Sequence, residues 1–136
     1  MRIRKARAKD ISQCVALSNI TEFKMPSGEV PDAKGFRQSL GNLFLVAEID
    51  SKVVGLILGY SLTKDVVYLD LLTVHADFRG EKIGQHLIKA FRDQLKKLKY
   101  KEYFLIAPTF NKKTLEFYMK NGLKKGKEYT LFSDKV

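Results

Sequence analysis

The chain holds one cysteine, no tryptophan, two histidines and three prolines in 136 residues. A lone Cys14 excludes an internal disulfide, and with no second thiol at metal-ligand spacing it reads as a small packing residue rather than a nucleophile. No run of about eighteen apolar residues exists, which argues against a membrane-spanning helix. The opening MRIRKARAKD carries charges where a signal peptide needs an apolar stretch, so the expectation is a soluble, cytoplasmic protein. Internal repeats, low-complexity segments and a recognisable linker are also missing. The expectation is therefore one domain over residues 1–136, with 45% hydrophobic residues to build its core.

Acidic residues are the next shortage. The formal net charge is +10, and it is uneven: residues 1–70 carry 10 Lys+Arg against 8 Asp+Glu, residues 71–136 carry 15 against 7. Such a balance points to an anionic partner, a solubility role, or both. Part of the excess is the run KKLKYK (Lys96 to Lys101), which reads as the solvated end of a helix whose macrodipole favours cations there.

The patterning is alternately helical and extended. A short strand leads to Asp10 as a helix cap, with Ile11, Cys14, Val15, Leu17 and Ser18 at helical spacing. Residues 21–35 hold two of the three prolines and read as a loop, followed by a short helix at FRQSLGN. NLFLVAEID, KVVGLILGYSLT and KDVVYLDLLTVH, joined by polar turns at Asp50–Lys52 and Thr63–Asp65, predict three antiparallel strands. Ile83, Leu87, Ala90, Phe91, Leu95 and Leu98 share one face of a helix running to about Lys99. KEYFLIAP predicts a buried strand stopped by Pro108, NKKTLEFYMKNGL a helix capped by Gly122, and EYTLFS a last alternating strand. The unit from YLDLLTV through the long helix to YFLIAP should be parallel, so the fold class is α+β with a mixed sheet.

Between strand and long helix lies HADFRGEKIGQHLI. A helix start presents backbone N–H groups without intrahelical acceptors, and Gly80 and Gly84 keep side chains off that backbone while Arg79 and Lys82 add positive charge. This is a phosphate cradle by composition. It has neither the Walker spacing nor the GxGxxG of dinucleotide folds. His75 and His86 read as surface residues.

LLTVHADFRGEKIGQHLI is similar to the acyl-CoA signature of the GNAT superfamily of N-acyltransferases: Arg or Gln, two residues, Gly, one residue, Gly or Ala. NKKTLEFYMKNGL resembles that family's second block, with Asn111, Tyr118 and Gly122 at its offsets. One departure is Lys82, which stands at the first signature glycine and is expected to adopt helical dihedrals. The resemblance implies a GNAT-like mixed sheet, mostly antiparallel with one parallel pair, flanked by about four helices. It implies acetyl-CoA as cosubstrate, with Leu72, Thr73 and Val74 along its pantetheine arm. Backbone from Gly80 through Glu81, Lys82, Ile83 and Gly84 to Gln85 would lie at its pyrophosphate beside Arg79, and Asn111 and Tyr118 at its thioester end.

The implied chemistry is attack of a neutral primary amine on the thioester in a ternary complex, with Tyr118 as acid for the departing thiolate and the Val74 N–H as an oxyanion donor. Asp70 is the candidate base, four residues before Val74 and so, by strand alternation, on its face. Tyr68 shares that face, as packing or as part of a water relay. No metal site is expected. The alternatives are a CoA-binding module without turnover and a basic nucleic-acid-binding protein, the latter disfavoured because no recognition motif is present. The amine acceptor is open; Glu22, Glu29 and Asp32 are candidates for attracting a cationic one. A homodimer pairing through EYTLFS is also an expectation.

Overall fold

The computed structural model describes residues 1–19, 27 and 31–136. Five strands among these residues form one sheet in the order β1 (Arg2–Lys5), β2 (Phe44–Ile49), β3 (Lys52–Ser61), β4 (Val66–Val74) and β5 (Glu102–Phe104). Every neighbouring pair is antiparallel except β4 and β5, which are parallel. Among the described residues four α-helices accompany it: α1 (Ile11–Ser18), α2 (Ala33–Gln38), α3 (Ile83–Lys97) and α4 (Lys112–Lys120). The α+β class and the β4–α3–β5 crossover follow the sequence pattern.

Local chemistry fixes the connections. Asp50 and Ser51 both take left-handed dihedrals, φ 49° and 65°, the geometry of a tight turn whose twist matches a hairpin. Between β3 and β4 the Thr63 hydroxyl accepts from the N–H groups of Asp65 and Val66. The sheet packs on both faces. On one, α1 and α2 supply Leu17 and Phe36 against Phe44, Leu56 and Leu58. On the other, α3 supplies Leu87, Phe91 and Leu95 against Leu45, Ile57 and Val67. Fully burying each such side chain contributes on the order of 1.5–3 kcal/mol. Cys14 is buried in the first layer, and desolvation pushes its thiol up to about 12, leaving it inert.

Several sequence expectations need correction. Asp10 precedes α1 but makes no side-chain cap; its carboxylate instead accepts from the Arg7 N–H at 2.8 Å and from Arg4 Nη1 at 2.7 Å. α2 begins at Ala33, inside the expected loop, because Asp32 caps it by accepting from the Gly35 N–H at 2.9 Å. KEYFLIAP is neither long nor buried as a strand: only Glu102–Phe104 pairs, at the sheet's edge, with Phe104 45% exposed. EYTLFS forms no strand at all. Residues 124–136 are exposed throughout, because alternation alone supplies no ladder partner. Glu22 and Glu29 lie outside the described residues.

No helix among the described residues is long and apolar enough to cross a membrane.

Candidate active site

The site begins where the parallel pair comes apart. β4 and β5 are in register only at Val66–Glu102, Val67–Tyr103 and Tyr68–Phe104. Beyond Tyr68, β4 runs on to Val74 while the chain after Phe104 leaves strand geometry. A cavity of about 790 Å³ opens in the gap. β4 forms one wall, Leu105 to Pro108 the other, α4 contributes Phe117 and Tyr118, and the start of α3 closes one end.

Within β4 the register slips. Leu58 pairs with Leu71 and Gly59 with Leu69, so Asp70 is the extra residue of a β-bulge. Its effect shows in the packing: Leu69 belongs to the α3 layer and Leu71, two residues on, to the α1 layer. Strict alternation therefore does not carry across Asp70. Leu72 and Val74 pack on the α3 side, whereas Tyr68 lies opposite Val67 and Leu69 on the α1 and α2 side. The four residues Tyr68, Asp70, Leu72 and Val74 nonetheless all line the cavity, so the gap is walled from both faces of the sheet.

The titratable groups in the gap are shaped by burial. Desolvation raises the Asp70 carboxyl above its usual range. Tyr68 is raised first by burial and then by the charge of Asp70. Tyr118 is pushed up to about 12, chiefly by burial, with Tyr103 and Tyr68 adding to the effect. Tyr118 thus keeps its proton at any ordinary pH and is equipped to donate it.

At the closed end the chain turns sharply. The His75 ring accepts from the Asp77 N–H at 3.1 Å, and Arg79 Nε donates to the Val74 carbonyl at 3.4 Å. Gly80 has φ 85°, a left-handed value that favours glycine. Lys82 stands at the cap of α3 with φ 62° and ψ 21°, left-handed rather than the helical conformation expected. Its side chain makes no capping hydrogen bond. The N–H groups of Ile83, Gly84 and Gln85 precede the first intrahelical bond, donated by His86 to the Lys82 carbonyl at 3.0 Å. A Cβ on Gly84 would meet Phe117 Cζ at 3.0 Å, so the missing side chain lets α4 lie against the first turn of α3.

Of the sequence candidates, the cavity wall brings together Tyr68, Asp70, Leu72, Thr73, Val74, Arg79, Gly80, Lys82, Ile83, Gly84, Gln85 and Tyr118. Glu81 and Asn111 are not part of that wall. Asn111 caps α4, its side-chain oxygen accepting from the Thr114 N–H at 3.1 Å. Sequence reasoning missed Lys113, Phe117 and Lys120, which also face the cavity. Their spacing of four and three residues marks one helical face, and Tyr118, one residue past Phe117, lies off it.

A long ligand with an anionic end fits these features. Free N–H groups and basic side chains stand at one end, an unpaired strand edge and apolar side chains run along the middle, and a protonated phenol and a carboxyl sit further in. Among the described residues no cluster suited to a metal ion occurs.

A five-stranded mixed sheet with a splayed parallel pair and a helix start at its open end is the fold of the acetyltransferases that this chain resembles. The Acetyltransferase (GNAT) family matches residues 14–123, and the chain belongs to that family. Solved structures share the fold at low identity. An aminoglycoside acetyltransferase, meta-AAC0020, from an uncultured soil metagenomic sample, in complex with sisomicin, superposes with TM-score 0.76 at 20% identity, covering 99% of this chain and 95% of that one. The ribosomal-protein-S18-alanine N-acetyltransferase from Escherichia coli gives 0.78 at 14%, covering 93% and 79%. Rv2747 from Mycobacterium tuberculosis, in complex with CoA and NLQ, gives 0.75 at 20%, covering 98% and 77%. Among curated proteins no sequence match was found.

Proposed function

We propose that this chain transfers an acetyl group from acetyl-CoA to a primary amine by direct attack within a ternary complex. The observation that carries the reading is the gap between β4 and β5, walled from both faces of the sheet at the Asp70 bulge. A cosubstrate on the α3 and α4 side and an amine on the α1 and α2 side meet there without a covalent enzyme intermediate. Solved structures with the same fold include acetyltransferases for an aminoglycoside and for a ribosomal protein.

Acetyl-CoA supplies an activated acyl carbon and a thiolate leaving group. The N–H groups of Ile83, Gly84 and Gln85 hold the pyrophosphate, with Arg79 and Lys82 at its rim and Lys113 and Lys120 facing it from α4. The edge of β4 from Leu72 to Val74 orients the pantetheine arm. Asn111 supports the thioester end by fixing the start of α4. Asp70, its affinity for a proton raised by burial, takes a proton from the amine. The neutral amine nitrogen forms the new C–N bond as the C–S bond breaks, Tyr118 gives its phenolic proton to the departing sulfur, and the second nitrogen proton passes through solvent to restore the phenol. A homodimer is part of the reading.

The test is titration calorimetry with acetyl-CoA followed by thiol-release kinetics. Tyr118→Phe and Asp70→Asn should bind acetyl-CoA close to wild-type affinity while kcat falls on the order of a hundredfold. Wild-type protein that binds acetyl-CoA but releases no thiol with any amine would make the chain a CoA holder; unchanged kcat in both variants would assign the proton transfers elsewhere.

A further inference from the structure

Three aromatic rings stand in line across three adjacent strands. Tyr60 on β3 is directly opposite Tyr68 on β4, and Tyr68 is in register with Phe104 on β5. Residues in register project to the same side of a sheet. The Tyr68 and Phe104 rings confirm it, with centroids 5.3 Å apart at 43°. Ser39, at the end of α2, meets the Tyr60 hydroxyl at 3.1 Å, which marks the side as that of α1 and α2. Yet neither helix covers the row: Tyr60 is 41% and Phe104 45% exposed. Two of the three rings face solvent, and the row leads to the reaction gap because the half-buried Tyr68 itself lines the cavity.

We propose that the row is the acceptor platform and that the acceptor is a primary amine carried on an aromatic ring by a short tether. The inference rests on the acyl-transfer reading for its chemistry and adds the substrate class. Adjacent strands lie about 4.8 Å apart, so three rings make a strip on the order of 10 Å across, enough for one flat ring and little more. Two residues along β4 from Tyr68 bring the chain to Asp70, a step of roughly 7 Å. A ring stacked at Tyr68 and Phe104 therefore delivers an amine two or three bonds away to the carboxylate. Charge agrees with shape. The half-buried Asp70 attracts an ammonium group on its way in, and the ring faces of the row favour a passing cation and an aromatic body alike. Asp70 then removes the proton, so the nitrogen that reaches the thioester is neutral.

The experiment compares 2-phenylethylamine with n-butylamine as acceptors for acetyl-CoA. Wild-type protein should show a KM about tenfold lower for 2-phenylethylamine. Phe104→Ala and Tyr60→Ala should each raise that KM toward the butylamine value, with Phe104→Leu and Tyr60→Phe between; circular dichroism confirms folding. Equal KM values for the two amines, or variants that slow both equally, overturn the platform. Binding without turnover separates this proposal from the one beneath it, through NMR of the aromatic resonances during titration with 2-phenylethylamine alone. Shifted ring signals with no acetyl-CoA binding leave the platform standing and remove acyl transfer. Acetyl-CoA turnover with butylamine but no ring shift does the reverse. A concentration-dependent dimer abolished by Phe104→Ala assigns the row to a second copy and also overturns it.

Discussion

Lys82 holds a backbone conformation that glycine accepts freely and a β-branched residue resists. At φ 62° an L side chain costs about 1–2 kcal/mol. Lys82→Gly should melt at least as high as wild type, since relief of that strain offsets the greater freedom glycine gives the unfolded chain. Lys82→Val should melt several degrees lower, roughly 3–5 °C per kcal/mol for a domain of this size. Equal melting of the two variants, followed by circular dichroism, would show that the turn is not left-handed. Asp70 makes a second prediction of this kind. Its folded-state pKa lies above the unfolded value, so its contribution is fully present below the unfolded value and is lost as pH rises through the folded one. Asp70→Asn should therefore raise the melting temperature near neutral pH and leave it unchanged in acid. A melting gain that persists at acid pH would point to a cause other than this carboxylate.

Among the elements, β1 is held by charge as much as by its ladder. Arg4 lies between Asp10 and Glu48, with N···O distances of 2.7 and 3.2 Å, and the Arg4 and Asp10 side chains are only 8% and 2% exposed. Removing one partner strands a buried charge, so Arg4→Ala should cost about 3–5 kcal/mol in urea denaturation. The sign with pH is opposite to that of Asp70. Arg4 holds the Asp10 carboxyl below its usual range, so this stability is present above the unfolded value, about pH 3.9, and is lost as pH falls further. In Arg4→Ala the acid limb should flatten; an acid limb as steep as that of wild type would move the effect to other carboxylates. The elements also mark how far the sequence could be read. β2, β3, β4 and α3 were legible because their apolar residues repeat at the strand or helix period and both faces find partners. KEYFLIAP finds a partner only over Glu102–Phe104, on one side, and EYTLFS forms no strand. The bulge at Asp70 and the turn at Lys82 escaped for a related reason: each depends on what the opposite strand or the incoming helix imposes, and neither leaves a period to count. Lys113, Phe117 and Lys120 were missed because they share a helical face that Tyr118, the residue the motif marks, is not on.

For the molecule as a whole, the net charge of +10 meets a cavity whose wall includes Arg79, Lys82, Lys113 and Lys120. Screening of exposed charges is nearly complete beyond about 10 Å at 0.1 M salt and much shorter in range at 1 M. Affinity for acetyl-CoA should accordingly fall as salt is raised, and more steeply than for dephospho-CoA, which lacks one phosphate. Parallel salt slopes in calorimetry would place the terminal phosphate outside the basic wall.

The bulge in β4 has a consequence for how such a protein changes over generations. One side of the gap is lined largely by main-chain groups and a helix start, which tolerate substitution as long as the backbone path is kept. The other side is drawn in side chains, Tyr68 in the wall with Tyr60 and Phe104 in register beside it. Because the alternation breaks at Asp70, a replacement on one side leaves the packing pattern of the other undisturbed. Under the proposed reaction, substrate preference is thus free to drift while the acyl donor stays the same, through a small set of mutations on three strands.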